Sequence, residues 1–500
     1  DTVAMETPAT SATSLIDVCF FIAGADPVHI GLFPGRIPTS VYDVTDPVSN
    51  LGEIVGTRRV LDSGAAAQRV TSFWNPDPMQ ARALVMPGST DEVSRVLRSC
   101  HGAGQAVITQ GGLTNCVCAV EPTREDVVLS TEKMTGIVEI DPVGGTAVVE
   151  AGAILQTVQE TLAGEGLYFP LDLGARGSCT IGGNIATNAG GINVLRYGMM
   201  RNLVLGLETV LADGTVVSSL NRMLKNNAGY DTKQLFIGSE GSLGIVTRAV
   251  LRLFPQPASR QNAFVAFDSF DNVVRLLSYL QKALAGTLSA FEVMWNDYYH
   301  EVTAEGWHRP PLARDYPFYV VFQAEGSDPA ADEARFERVL EEAFEQGMIV
   351  DAALPKSESE VRDMWNIRED FEAVLEMQPN YLFDVSLPFR DMEAYVGKVY
   401  ALLEKRLPDS RAFTLGHIAD GNLHLFVAPC TDGDHYDVIN ECVYDPLRPY
   451  GGSVSAEHGI GMDKIRWLPH SRSAADIELM RTLKRSLDPK GILNPDRVLP

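Results

Sequence analysis

The stretch Phe169-Pro170-Leu-Asp172-Leu-Gly174-Ala-Arg-Gly-Ser178-Cys-Thr-Ile-Gly182-Gly183-Asn184-Ile-Ala-Thr-Asn188-Ala-Gly190-Gly191 decides how the chain is read. It holds far more small residues than a packed helix or strand selects. A loop-rich connector accounts for that composition, and so does a backbone that has to lie against a large ligand. Two further clusters favour the ligand. Gln110-Gly111-Gly112-Leu113-Thr114 is a glycine-rich turn whose bare N–H groups suit a phosphate. Gly238-Ser-Glu240-Gly-Ser-Leu-Gly244-Ile245 then leads into an alternating strand over residues 249–254. Three such loops in one segment point to a single extended cofactor.

Working outward, residues 83–86 form an apolar run, and Ser89 and Glu92 stand at capping-box spacing before Val93, Val96, Leu97 and Cys100 recur at helical period. Gly102 and Gly104 stop that helix and residues 106–108 read as a strand, which completes a strand-helix-strand unit. Residues 127–130 and 146–150 read as strands, and residues 155–162 as a short helix. Pro255-Gln-Pro257 punctuates the chain. Beyond it, strands at residues 264–267 and 318–324 alternate with helices at residues 272–285 and 332–346, an α+β domain. An amphipathic helix over residues 474–486 precedes Leu487-Asp-Pro-Lys-Gly-Ile-Leu-Asn494-Pro.

The second half carries His417-Ile-Ala-Asp420-Gly-Asn422-Leu-His424 and, further on, Ser455-Ala-Glu457-His458-Gly. Two imidazoles and one carboxylate are a ligand set that zinc accepts, and three protein ligands leave coordination positions open. A second imidazole beside the carboxylate, His458, can move a proton. By residue type alone, such an ion could activate water or a substrate hydroxyl. Asp420 and Asn422 are expected to hold the turn. Lys464 either neutralises charge near the Glu-His loop or is exposed.

The chain of 500 residues carries 41 Lys and Arg against 65 Asp and Glu, a net charge of -24 that phosphate backbones and anionic lipid surfaces repel. A nucleic-acid role is therefore not expected. Seven cysteines, with only Cys116 and Cys118 closely spaced, do not form a disulfide framework, and reduced thiols fit an intracellular setting. The first 35 residues lack Lys and Arg, so neither a secretory signal nor a transit peptide is written there. Residues 15–32 are apolar but broken by Asp17, Asp26 and His29, too interrupted to span a bilayer, and read as a packed segment. A cytoplasmic location is expected, or the mitochondrial matrix if a targeting peptide has been removed ahead of Asp1.

In this order the motifs resemble the FAD-linked oxidases of the vanillyl-alcohol oxidase superfamily, in the branch of D-2-hydroxyglutarate, D-lactate and glycolate dehydrogenases. The likeness covers residues 50–500 and is strongest to the hydroxyglutarate enzymes through Arg196-Tyr-Gly198 and Gly229-Tyr-Asp-Thr-Lys-Gln-Leu235. It implies an α+β chain: an N-terminal segment (1–50), a two-subdomain FAD-binding domain (51–257, changing subdomain near 115–125), a substrate and metal domain (258–464) and a C-terminal helical segment returning to the flavin (465–500). Pyrophosphate is then expected on Gly111, Gly112, Leu113 and Thr114, and the flavin along Pro170, Gly174, Ser178, Gly182, Gly183, Asn188, Gly190 and Gly191. Glu240, Gly244, Ile245 and Asn494 complete the expected cofactor site. Leu113 stands where some members carry a flavin-linked histidine, so the FAD is expected to be non-covalent. Gly459-Ile-Gly461 lacks the third glycine of a nicotinamide turn and reads as loop geometry.

The resemblance further implies His417, His424 and Glu457 as ligands of a divalent ion, zinc or manganese, His458 as proton acceptor, and Arg368 as the partner of the substrate carboxylate. The implied reaction takes a D-2-hydroxy acid to the 2-oxo acid, with hydride passing from C2 to flavin N5. Electrons then pass to an external carrier such as an electron-transfer flavoprotein, a cytochrome or a quinone, in a possible homodimer without a membrane span. An oxygen-using oxidase and a non-catalytic flavin- or metal-binding protein are the alternatives. Two positions depart from the hydroxyglutarate pattern: Leu382 replaces a lysine and Phe426 an asparagine. Either another cation, with Arg390 the candidate, serves a distal carboxylate, or the substrate is less polar. Cys116 and Cys118 replace small residues of the glycine loop and read as a packing change.

Overall fold

The computed structural model describes residues 47–499, so the apolar segment at residues 15–32 lies outside them. The expected strand-helix-strand unit forms as Ala83–Val85, Thr90–Ala103 and Val107–Gln110. Ser89 Oγ caps the helix by accepting the Glu92 N–H, but the Glu92 carboxylate turns instead to Arg59 and the Gly88 N–H, so the capping box is not reciprocal. Both strands run parallel to Val127–Ser130, which lies between them, and Val60–Asp62 adds an antiparallel edge. Because the chain comes back to the middle of this sheet after residue 126, it passes to the next sheet only between Ser130 and Ile137. That is later than the 115–125 expected, since the parallel slot must be filled first.

The second sheet is antiparallel, in the order Ile137–Asp141, Thr146–Glu150, Ile245–Arg252, Val204–Val210 and Val216–Ser219. The short helix Ile181–Thr187 and the glycine-rich segment around it pack on its apolar face through Ile181, Ile185 and Val246. Much of the glycine content serves loop packing. A Cβ on Gly112 would lie 2.1 Å from the Ser178 carbonyl oxygen, on Gly182 2.7 Å from Ala151 Cβ, and on Gly191 1.9 Å from the Asp172 carbonyl oxygen. The loops therefore line a ligand cavity and also interlock with one another.

The third sheet has seven antiparallel strands in the order Asp351–Ala353, Ser259–Phe267, Phe318–Gly326, Leu288–Trp295, Arg411–Gly416, Asn422–Ala428 and Tyr381–Ser386. Alternation divides each strand between two layers. Val265, Phe291, Val385, Leu423 and Leu425 pack against the helices Phe270–Ala283, Pro329–Glu345 and Met392–Arg406. Phe264, Met294, Phe413 and Phe426 face the helices Asn296–Val302 and Glu358–Glu369. With both faces covered, these strands read in sequence as nearly unbroken apolar runs.

Two contacts tie the parts together. The C-terminal residues join the first sheet, where Asn494 donates its N–H to Val107 O and accepts the Thr109 N–H at 2.8 Å. Between the second and third sheets, the buried Glu325 carboxylate accepts from Tyr197 Oη at 2.8 Å and pairs with Arg260 at 3.2 Å and Arg196 at 3.5 Å. Glu325→Ala leaves these groups without their common acceptor and is expected to destabilise the fold by about 2 kcal/mol, read as a lower denaturant midpoint. An unchanged midpoint would show that the link is idle.

Candidate functional site

A cavity of about 790 Å³ opens where the glycine loops meet one face of the seven-stranded sheet. On the loop side Gly111, Gly112, Leu113, Thr114, Gly174, Ser178, Gly182, Gly183, Gly190, Gly191, Glu240, Gly244, Ile245 and Asn494 line it. Pro170 and Asn188 do not. Pro170 accepts the Asn193 side chain through its carbonyl, and Asn188 is the left-handed cap of the helix Ile181–Thr187, accepting the Arg201 N–H. Both act by shaping the loop.

The Gly112, Leu113 and Thr114 N–H groups have no partner among the described residues, and Leu113 is in the left-handed region at φ 60°. Successive free N–H groups in such a turn form an anion cradle, which fits a pyrophosphate. Glu240 is more occupied: its carboxylate accepts the Ile460 and Gly461 N–H groups at 2.7 and 2.8 Å, and Asn494 donates to its carbonyl. Gly461 in turn abuts the Val117 carbonyl, and Gly459 abuts Glu240, so this pair of glycines closes the loop beside the site.

On the sheet side, register explains the chemistry. Asp384 pairs with His424 and Leu382 with Phe426 on neighbouring strands, so these four side chains share one face. His417 follows the next strand, Arg411–Gly416, and Arg368 closes the helix Glu358–Glu369. Ligand atoms of His417, His424 and Glu457 lie within 4.8 Å of one another, and so do those of Asp384, His424 and His458. The first set is the better cation site, because Asp384 Oδ2 already accepts the Ala456, Glu457 and His458 N–H groups at 3.1, 2.9 and 2.9 Å. Asp384 is the anchor of the Glu-His loop. Lys464, 2% exposed, lies 3.9 Å from that oxygen and compensates its charge, which resolves the two readings of this lysine.

Glu292, 1% exposed, was not singled out from the sequence, yet it organises the site. Its Oε1 accepts from His417 Nδ1 at 2.7 Å and its Oε2 from Arg368 Nε at 3.0 Å. With Nδ1 so held, His417 turns its Nε2 toward Arg368 Nη2 at 3.2 Å. Burial opposes a charged ring here, but the Glu292 carboxylate outweighs it and carries the His417 imidazole up to about 9. At His424, burial and then the positive His417 and Arg368 push the imidazole well below its ordinary value, so a ring nitrogen keeps its lone pair. At His458 burial again opposes the charge, while the Cys116 thiol and Asp384 raise the ring to about 9. Cys116, which lines the cavity, is thus an electrostatic neighbour of His458.

Three expectations need correction. Phe426 does not line the cavity; at 2% exposure it lies one layer behind, its ring centroid 5.2 Å from that of Phe371, which does. Arg390 is exposed and lines nothing here, because its 3-10 turn sits beyond the sheet edge strand. Asn422 does not hold the turn through its side chain, whose amide atoms are buried without partners; Asp420 does so by accepting the Asn422 N–H at 3.2 Å. The signal that could have found Glu292 and Asp384 is a lone carboxylate inside an apolar strand, a position that demands a partner.

Comparison with known proteins agrees with this architecture. Residues 81–219 match the family model described as FAD binding domain, and residues 256–498 that of FAD linked oxidases, C-terminal domain. D-2-hydroxyglutarate dehydrogenase, mitochondrial, of Bos taurus is 37% identical over 469 residues, 93% of this chain and 85% of its own. The D-2-hydroxyglutarate dehydrogenase of Xanthomonas citri pv. viticola is 37% identical over 440 residues, 86% of this chain and 90% of its own. Among solved structures, p-cresol methylhydroxylase superposes with a TM-score of 0.73 at 16% identity, covering 90% of this chain and 96% of its own. The 4-ethylphenol oxidase from Gulosibacter chungangensis gives 0.69 at 18%, covering 91% and 97%. At such identities the structures speak for the fold alone. From sequence and fold together, the chain belongs to the FAD-linked oxidases, with a FAD-binding fold of the vanillyl-alcohol oxidase type, in the branch that holds the D-2-hydroxyglutarate dehydrogenases.

Proposed function

We propose that the protein is an FAD- and divalent-metal-dependent dehydrogenase that oxidises a D-2-hydroxy acid to the 2-oxo acid. The reading rests on one juxtaposition: the cavity that carries the free N–H groups of residues 112–114 also carries His417, His424, Glu457, His458 and Arg368. The name shared by the cow and Xanthomonas relatives supports the reaction class. Residues 51–257 would hold FAD, residues 258–464 the substrate and the ion, and residues 465–500 would brace the FAD-binding part. FAD, held without a covalent bond, supplies the hydride acceptor, and zinc or manganese on His417, His424 and Glu457 supplies a Lewis acid for the hydroxyl.

The chain's own groups do the rest. Arg368 is pinned by Glu292 through Nε, and its Nη1, without a partner among the described residues, is left for the substrate carboxylate. Holding that carboxylate fixes which face of C2 meets the cofactor. His458 takes the hydroxyl proton once it has lost its own, so turnover is expected to rise as the pH climbs toward about 9, and Asp384 keeps its loop in place by gripping three consecutive backbone N–H groups. Electrons then leave to an external carrier such as an electron-transfer flavoprotein, a cytochrome or a quinone. No helix among the described residues is long and apolar enough to cross a membrane. Free thiols at all six described cysteines and the mitochondrial relatives support a matrix or cytoplasmic setting.

Purified protein is expected to carry FAD that acid precipitation releases, and its flavin absorbance should bleach when a D-2-hydroxy acid is added without oxygen. Protein lacking flavin, or a flavin that no D-2-hydroxy acid bleaches, rules the reading out. Slow reoxidation of the bleached flavin in air distinguishes the dehydrogenase from an oxidase.

A further inference from the structure

Resting on that reading, we propose that the substrate's side chain is apolar: a D-2-hydroxy monocarboxylate with an aliphatic or aromatic tail. Beyond Arg368 the cavity wall is made by Phe371, Leu375 and Leu382, with Phe426 packed behind Phe371. Leu382 and Phe426 are cross-strand neighbours, so the apolar lining continues into the core. A tail placed there gains by leaving water.

A second carboxylate finds nothing. Arg368 is the one Lys or Arg among the described residues that line the cavity, and it is already bound to Glu292 and required by the first carboxylate. Apart from the histidines of the cation site, the other charged side chains that line the same cavity near it are acids: Asp172, Glu369, Asp370 and Glu372. Asp172 is held by Arg176 at 2.8 Å and Asp370 by His308 at 3.1 Å, partners that lie outside the lining and serve those acids. A distal carboxylate would meet like charge and lose its water without a partner.

The test is anaerobic reduction of the FAD-loaded enzyme by D-2-hydroxyisocaproate, D-phenyllactate, D-lactate, D-2-hydroxyglutarate and a D-2-hydroxy acid with an amine tail. The aliphatic and aromatic acids are expected to exceed D-2-hydroxyglutarate in kcat/KM by about 100-fold or more. Leu382→Lys should narrow or invert that ratio. Phe371→Ala, a milder change, should lower kcat/KM for D-phenyllactate more than for D-lactate. Preference for the dicarboxylate or the amine overturns this inference while the D-2-hydroxy acid reading stands. Failure of every acid to bleach the flavin overturns that underlying reading.

Discussion

His424→Ala is expected to lower kcat by at least about 100-fold and to abolish binding of the proposed divalent ion, while FAD stays bound. The histidine belongs to both groupings of ligand atoms in the cavity, so among the described residues neither grouping keeps three ligands without it. It also sits between neighbours that keep it neutral: burial and the positive His417 and Arg368 disfavour its protonation. A neutral imidazole is what a metal requires. The glycine loops that line the other side of the cavity are untouched by the change, so flavin absorbance serves as the internal control. Metal content by elemental analysis and single-turnover flavin reduction are the two readouts. A variant that retains metal and turns over normally would sink the ligand assignment.

Glu292→Gln is expected to weaken metal binding and kcat/KM together by about 10- to 100-fold. The reason is that one carboxylate serves two clients, accepting from His417 Nδ1 and from Arg368 Nε. Glutamine offers one acceptor and one donor in that space, so one of the two contacts must fail. A merely structural role would lower stability without changing metal affinity, whereas the positioning role raises KM and loosens the ion at unchanged flavin content. Glu292→Ala goes further, leaving a buried guanidinium without its counter-charge, at a cost of about 3 kcal/mol in stability. Metal titration of Glu292→Gln at a temperature where it remains folded separates the two effects. Wild-type metal affinity and KM in that variant would overturn the positioning role.

Local signals carried much of the fold. The strands at residues 127–130 and 146–150 form at those residues, and the helix over 474–486 forms as Ala474–Leu487, because capping residues and periodicity act within a few residues of themselves. The glycine segments were legible as loops around a ligand, although their second duty, interlocking at backbone distance, shows only when Ser178 and Asp172 are seen against Gly112 and Gly191. Phe426 was expected at the substrate because it stands where the hydroxyglutarate pattern has an asparagine. Its depth is set by what packs over it, and Phe371 covers it.

By itself, then, the sequence determined several of the elements, the presence of an extended cofactor site and the residue types of the His and Glu-His segments. Each of these is written in short-range spacing. Only the tertiary structure decided that Glu292, 125 residues before His417 and 76 before Arg368, joins the two, that Asp384 grips the Glu-His loop, and that among the described residues no Lys or Arg besides Arg368 lines the cavity. Those facts follow from strand order and register in the seven-stranded sheet. A buried carboxylate must find its partner wherever the fold brings one, and local periodicity holds no record of which strand will lie beside it.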